Sequence, residues 1–197
     1  MNRMSSDGKV LQNASGPTNI AADIHKHARV TIGSDVGDLI GALNDGAVIQ
    51  VEGSAGKYAA DGMTDGEVII NGDADDGAGT SMRGGMLVIR GNAKNRVGQL
   101  LKGGTVIVGG SVKHHVGSFM MAGTVIIGGD AGRELGSSMV GGTIFIRGTH
   151  EALCAKLRKA EPVQEEIEFL EKLLSKYQLD LDCRKFAKIC TRPRKMA

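Results

Sequence analysis

The sequence predicts an all-β fold, a parallel β-helix of about seven coils of nineteen residues each, followed by a C-terminal α-helical appendage. Three observations predict it. Glycines recur every nineteen residues in three columns: Gly66, Gly85, Gly104, Gly123 and Gly142; Gly53, Gly72, Gly91, Gly110, Gly129 and Gly148; and Gly79, Gly98, Gly117 and Gly136, with Ala60 ahead of them. A fourth column in the same register holds Met63, Met82, Leu101, Met120 and Met139. Between the turn columns, aliphatic pairs such as Leu87/Ile89, Val106/Val108 and Val125/Ile127 alternate with period two, which puts both members on one face of a strand.

Nineteen residues are too few for a strand, a full helix and two turns, but they fit one coil of a stacked solenoid. The strand pairs are then interior ladders, and the methionines close the opposite wall, where a flexible thioether fills gaps. Glycine serves the corners in two ways: it accepts the left-handed conformation cheaply, and it leaves room for the neighbouring level. The segments 28–34 and 47–53 extend the register backwards, so the chain divides into a lead-in (1–27), the β-helix (28–150) and a helical extension with a basic tail (151–197).

The composition suits this plan. Aromatics make up 3% of the 197 residues and Trp is absent, so the core is built from aliphatic and methionine layers. A net charge of +2 without stacking aromatics argues against nucleic acid. Cys154, Cys183 and Cys190 form no C-x-x-C pair and read as reduced thiols, with Cys154 placed in the core column that runs from Ala59 to Leu135. The start MNRMSSDGKV has no apolar signal core and no long apolar run follows, which reads as a soluble cytoplasmic protein with no membrane partner.

The outer face of the sheet is unexpected. Ile69, Val88, Ile107, Ile126 and Phe145 form an apolar stripe, whereas Thr31 and Gln50 hold the same position in the first coils. This stripe is the candidate interface. Three readings are open: outward residues that merely suit strands, cover by the chain's own C-terminal segment, or cover by a partner protein. Within that segment, residues 161–178 read as a helix with Pro162 in its first turn. Its early acids and late Lys172 and Lys176 suit the helix dipole, and Ile167, Leu170, Leu174 and Tyr177 form its apolar face. A second short helix is expected from near Asp182, carrying Phe186 and Ile189. Lys185, Lys188, Arg192, Arg194 and Lys195 form a solvated basic end.

Local motifs carry little chemistry. Residues 123–136, GTVIIGGDAGRELG, resemble a phosphate loop, but the next strand follows too soon for a βαβ unit and the pattern recurs in neighbouring coils. Counting an EF-hand from Asp73 puts Ala78 at the sixth position and Gly84 at the twelfth, so Asp73, Asp75 and Asp76 read as solvated turn residues rather than calcium ligands. His114 and His115 share their columns with Asn95/Arg96 and Arg133/Glu134, which do not require imidazole.

The segments GDADDGAGTSMRGG (72–85), GNAKNRVGQLLKGG (91–104) and GDAGRELGSSMVGG (129–142) resemble the GXGXG repeat of the glutamate synthase large subunit's C-terminal domain. One of the subunits of formylmethanofuran dehydrogenase carries a similar repeat. The extension, with EALCAKL, LEKLLSKY and RKFAKI, is more similar to the glutamate synthase branch, in the form where this domain is a separate subunit. The resemblance implies a right-handed β-helix acting as a non-catalytic scaffold beside amidotransferase and flavin/iron–sulfur subunits. It places FMN and an iron–sulfur cluster on those partners and neither catalytic residue, metal nor cofactor in this chain. The alternatives are a scaffold of a formylmethanofuran dehydrogenase or formyl-transfer complex, and an independent enzyme using the His114/His115 region.

Overall fold

A computed structural model describes residues 9–11 and 28–192. Parallel strands stack in sequence order: β1 (Lys9–Leu11), β2 (Arg29–Ile32), β3 (Asp45–Val51), β4 (Asp65–Ile70), β5 (Met86–Ile89), β6 (Thr105–Val108), β7 (Thr124–Ile127) and β8 (Thr143–Ile146). From β2 onward the register advances by one repeat per strand, as in Ile49↔Val68, Val68↔Leu87 and Leu87↔Val106. The solenoid has about six turns, close to the seven coils that the sequence suggests, since the seven strands β2–β8 are separated by six steps. The lead-in contributes a rung of its own, since β1 pairs with β2.

The interior is a set of ladders. Val68, Leu87, Val106, Val125 and Ile144 stack on one line and Ile70, Ile89, Val108, Ile127 and Ile146 on the next, all buried. Met63, Met82, Leu101, Met120 and Met139 close the opposite wall as the sequence predicts. A further wall of isolated parallel bridges, Val36↔Ala55↔Ala74↔Ala93 and Val112↔Ala131↔His150, is narrow because its inward side chains are small. At the first level the Met column holds Asn44, fully buried. Its amide donates to the Ala47 carbonyl at 2.9 Å and its Oδ1 accepts the Ala47 N–H at 3.0 Å, so the polar group satisfies the irregular backbone at the start of β3.

One corner has an alternating backbone. In the level that contains them, Arg96, Gly98 and Leu100 have φ of 62°, 63° and 57°. Their N–H groups point alternately up and down: Arg96 donates to His114 O, Gly98 to Ala78 O and Leu100 to Ser118 O. Stacking therefore imposes the left-handed conformation on every level, whatever residue stands there.

The C-terminal extension departs from the sequence reading in three places. Helix α1 (Gln164–Lys176) is shorter than 161–178, and Pro162 precedes its N-cap, Val163, instead of standing in the first turn. Val163 has no side-chain oxygen; the Glu166 carboxylate accepts its N–H at 3.0 Å. The expected second helix is only a 3₁₀ turn, Cys183–Lys185, capped by Asp182; Ile189 lies in strand β10 (Ala187–Thr191). That strand pairs antiparallel with β8 and with β9 (Leu157–Ala160), because the unpaired edge of β8 needs hydrogen-bond partners and Ile189 seals the end of the core. Cys154 is exposed, not core: Leu157 fills the space above Leu135 and Gly136.

Candidate functional site

Helix α1 lies across the apolar stripe. Val88, Ile107 and Ile126 are wholly buried and Phe145 nearly so, packed with Leu170, Leu174, Tyr177, Cys183 and Phe186, while Ile69 is partly buried at the margin. The candidate interface is thus an internal layer covered by the chain itself, which answers the choice among the three readings. The polar-to-apolar change from Gln50 to Ile69 coincides with the end of the helix, where Lys176 pairs with Glu67 of β4 at 2.5 Å. The other end is tied by an ion pair between Glu166 and Lys188 of β10. Lys188 is therefore latched in the fold and Arg192 Nε donates to Leu157 O at 3.1 Å; Arg194 and Lys195 lie outside the described residues. Beyond the helix, Leu179 and Leu181 cross Gly109 and Gly128, where an added Cβ would meet their methyl groups. Burial among these groups pushes the Cys183 thiol above its ordinary value.

The three turn-glycine columns do different work. Gly85, Gly104, Gly123 and Gly142 turn the chain into the strand with positive φ, 78° at Gly104. Gly79, Gly98, Gly117 and Gly136 also have positive φ, and a Cβ there would press into the aliphatic core. Gly72, Gly91, Gly110 and Gly129 have no such conformation. Each makes space for a polar side chain rising from the level below, and a Cβ on Gly91 would stand well inside 3.0 Å of Asp73 Oδ1.

That side chain belongs to a ladder the sequence reading missed. The N–H of Ser54 donates to Asp35 Oδ1 (2.7 Å), Asp73 to Ser54 Oγ (3.1 Å) and Asn92 to Asp73 Oδ1 (2.7 Å). Ser111 then donates to Asn92 Oδ1 (2.9 Å), Asp130 to Ser111 Oγ (3.0 Å) and Thr149 to Asp130 Oδ1 (2.6 Å). The signal was present as an unbroken Asp/Ser/Asn column directly after the second glycine column. Asp73, exposed at its corner as the sequence suggests, is thus also a rung. Asp76 likewise accepts the Asn95 N–H at 2.9 Å. The Lys94 ammonium hydrogen-bonded to Asp75 holds that carboxyl below the ordinary carboxylate range.

The two histidines border a polar cleft of about 450 Å³ with Arg96, Arg133 and Glu134. His114 is a rung of a second ladder: its N–H donates to Asn95 Oδ1 at 3.2 Å and its Nδ1 accepts the Arg133 N–H at 3.0 Å. That assigns the ring proton to Nε2 and commits Nδ1 to the backbone. His115 is exposed, at a left-handed φ of 63°. Among the described residues no three His, Cys, Asp or Glu side chains converge as a metal site, and no helix is long and apolar enough to cross a membrane.

A solved structure shares this architecture. The chain is similar to one in the formyltransferase/hydrolase complex (FhcABCD) from Methylorubrum extorquens in complex with methylofuran. The match has a TM-score of 0.79 and 28% identity over 91% of this chain and 71% of that one. No curated protein matches by sequence. The family model for the GXGXG motif matches residues 9–192, and the chain belongs to that family.

Proposed function

We propose that the chain is a non-catalytic structural subunit of a multi-subunit formyl-transfer complex. The observation that carries this reading is the structural match to a chain of a formyltransferase/hydrolase complex at 28% identity. An alignment over 91% of this chain cannot be confined to the repeats at 28–150 and must take in part of the C-terminal extension. The extension therefore no longer favours the glutamate synthase branch. The side-chain ladders support a scaffold role: they use polar groups, including His114 Nδ1, to hold one level to the next.

The second reading is a scaffold for a glutamate synthase-like complex, favoured by the repeat register of residues 72–142. Its partners would be amidotransferase and flavin/iron–sulfur subunits, with FMN and the cluster bound there. Purification of the tagged full-length chain from its native source, with formyl-transfer, formyl-hydrolysis and glutamine-dependent amination assays, separates the two. The expected result is a co-purifying formyl-transfer activity that the isolated chain lacks. Amination activity would favour the second reading. A solitary chain, or activity of the chain alone, would overturn both.

A further inference from the structure

Helix α1 leaves a second apolar surface uncovered. At the corner beside the Met column, side chains on either side of Met120 point outward, so Phe119 and Met121 stand together on one level. Leu100 and Lys102 lie one level before them, and Ser138 and Val140 one level after. Phe119 is 52%, Met121 45% and Val140 72% exposed. Leu100 and Phe119 also have φ of 57°, a conformation that bulky L-residues rarely adopt; Leu43 shares it at the first level (56°), and the same column holds Gly62, Ser81 and Ser138 elsewhere. A large apolar residue left half exposed in left-handed backbone, as Phe119 is, is the pattern expected of a contact surface.

Charge is segregated along this corner. The first two levels carry Asp45, Asp61 and Asp65; the next two carry Arg83 and Lys102; the last two carry Met121 and Val140. From Thr80–Gly84 through Gln99–Gly103 and Ser118–Ala122 to Ser137–Gly141 the corner has no Asp or Glu. Arg83 and Lys102 are exposed, stack on successive levels, and have no ion-pair partner among the described residues.

We infer that this corner docks a different protein chain, through a segment that sets carboxylates against Arg83 and Lys102 and apolar side chains against Phe119, Met121 and Val140. The inference rests on the reading of the chain as a subunit of a complex. A second copy fits poorly. A two-fold axis that covers Phe119 and Val140 leaves Lys102 desolvated and unpaired, and an axis that pairs the acidic levels with the basic ones leaves the apolar levels bare.

The test uses the full-length chain in its native complex, with a photo-cross-linking amino acid in place of Phe119 or Met121. The control position is Phe169, which is exposed on the outer face of α1. Cross-links from both corner positions, but not from Phe169, should reach an acidic segment of another subunit. Arg83→Glu with Lys102→Glu should weaken retention of that subunit by roughly tenfold or more and leave the melting temperature unchanged. Phe119→Gly should also release the subunit, with the melting temperature equal or higher. Cross-links to a second copy, retention unaffected by charge reversal, or a Phe119→Gly variant that melts lower would each overturn the docking surface while the subunit reading stands. A chain with no co-purifying subunit would overturn both.

Discussion

The molecule carries two apolar surfaces on the same repeat and treats them differently. The stripe of Val88, Ile107, Ile126 and Phe145 is sealed by α1, whereas the corner of Phe119, Met121 and Val140 stays bare. The stripe arises because one residue choice repeats along the rod, whereas the corner column changes from Asp45 through Arg83 and Lys102 to Met121 and Val140. The difference teaches that periodic apolar character by itself does not identify an interface. What distinguishes the corner is that its residues are exposed, next to unpaired bases and, at Phe119, in left-handed backbone, while the stripe is flat strand opposite a matching helix face.

The largest expected effect tests the covered side. Ile107→Ala should cost about 2–5 kcal/mol, read by urea denaturation. Leu170→Ala from the helix side should cost a similar amount, and the double variant less than the sum, because the two residues share one layer. Met121→Ala, by contrast, should stay within about 0.5 kcal/mol. Equal losses at Ile107 and Met121 would erase the distinction between the surfaces.

The next effect concerns the ladder that fixes both surfaces in register. Gly91→Ala should destabilise by about 1–3 kcal/mol through overpacking against Asp73 and the Gly72 carbonyl. Its cost should shrink in an Asp73→Ala background, as a double-mutant cycle would report. An undiminished cost would show that backbone crowding alone requires the glycine.

A smaller effect sharpens the account of the helix. Lys176→Ala breaks the pair with Glu67 and should cost about 0.2–1 kcal/mol because the lysine is half exposed. The loss should fall further as salt is raised. A large, salt-independent loss would mean that the latch, rather than the stripe, holds α1 down.

The smallest effect is pH-dependent. The Thr149 N–H and hydroxyl hold the Asp130 carboxyl below the ordinary carboxylate range. The folded form therefore binds its proton later than the unfolded chain. This contribution is full above the unfolded value of about 3.9 and is lost as pH falls through the folded value. Asp130→Asn should flatten that part of the acid denaturation curve, followed by circular dichroism.

Much of the fold was legible because its causes are periodic. The Val/Ile ladders, the Met wall and the helix face of Leu170 and Leu174 stand where spacing puts them. Cys154 and Ile189 were misplaced because the solenoid's end obeys no period: an open strand edge and an open core demand whatever segment can reach them. The corner surface was harder still. Phe119 and Met121 show no helical or strand alternation, and only the left-handed backbone and the inward turn of Met120 reveal that they share an exposed face.

Helix α1 also sets a length. Its thirteen residues rise about 20 Å, and the strands that hold its two ties, β4 and β10, stand five steps or roughly 24 Å apart, a span that the helix and the extended Lys and Glu side chains at its ends cover together. Tied at Glu67 and at Lys188, it works as a gauge laid along the rod. Gain or loss of a coil within that span would carry one tie out of reach, whereas coils ahead of β4 are free of it. Any change in repeat number among relatives that retain this helix should therefore fall at the N-terminal end.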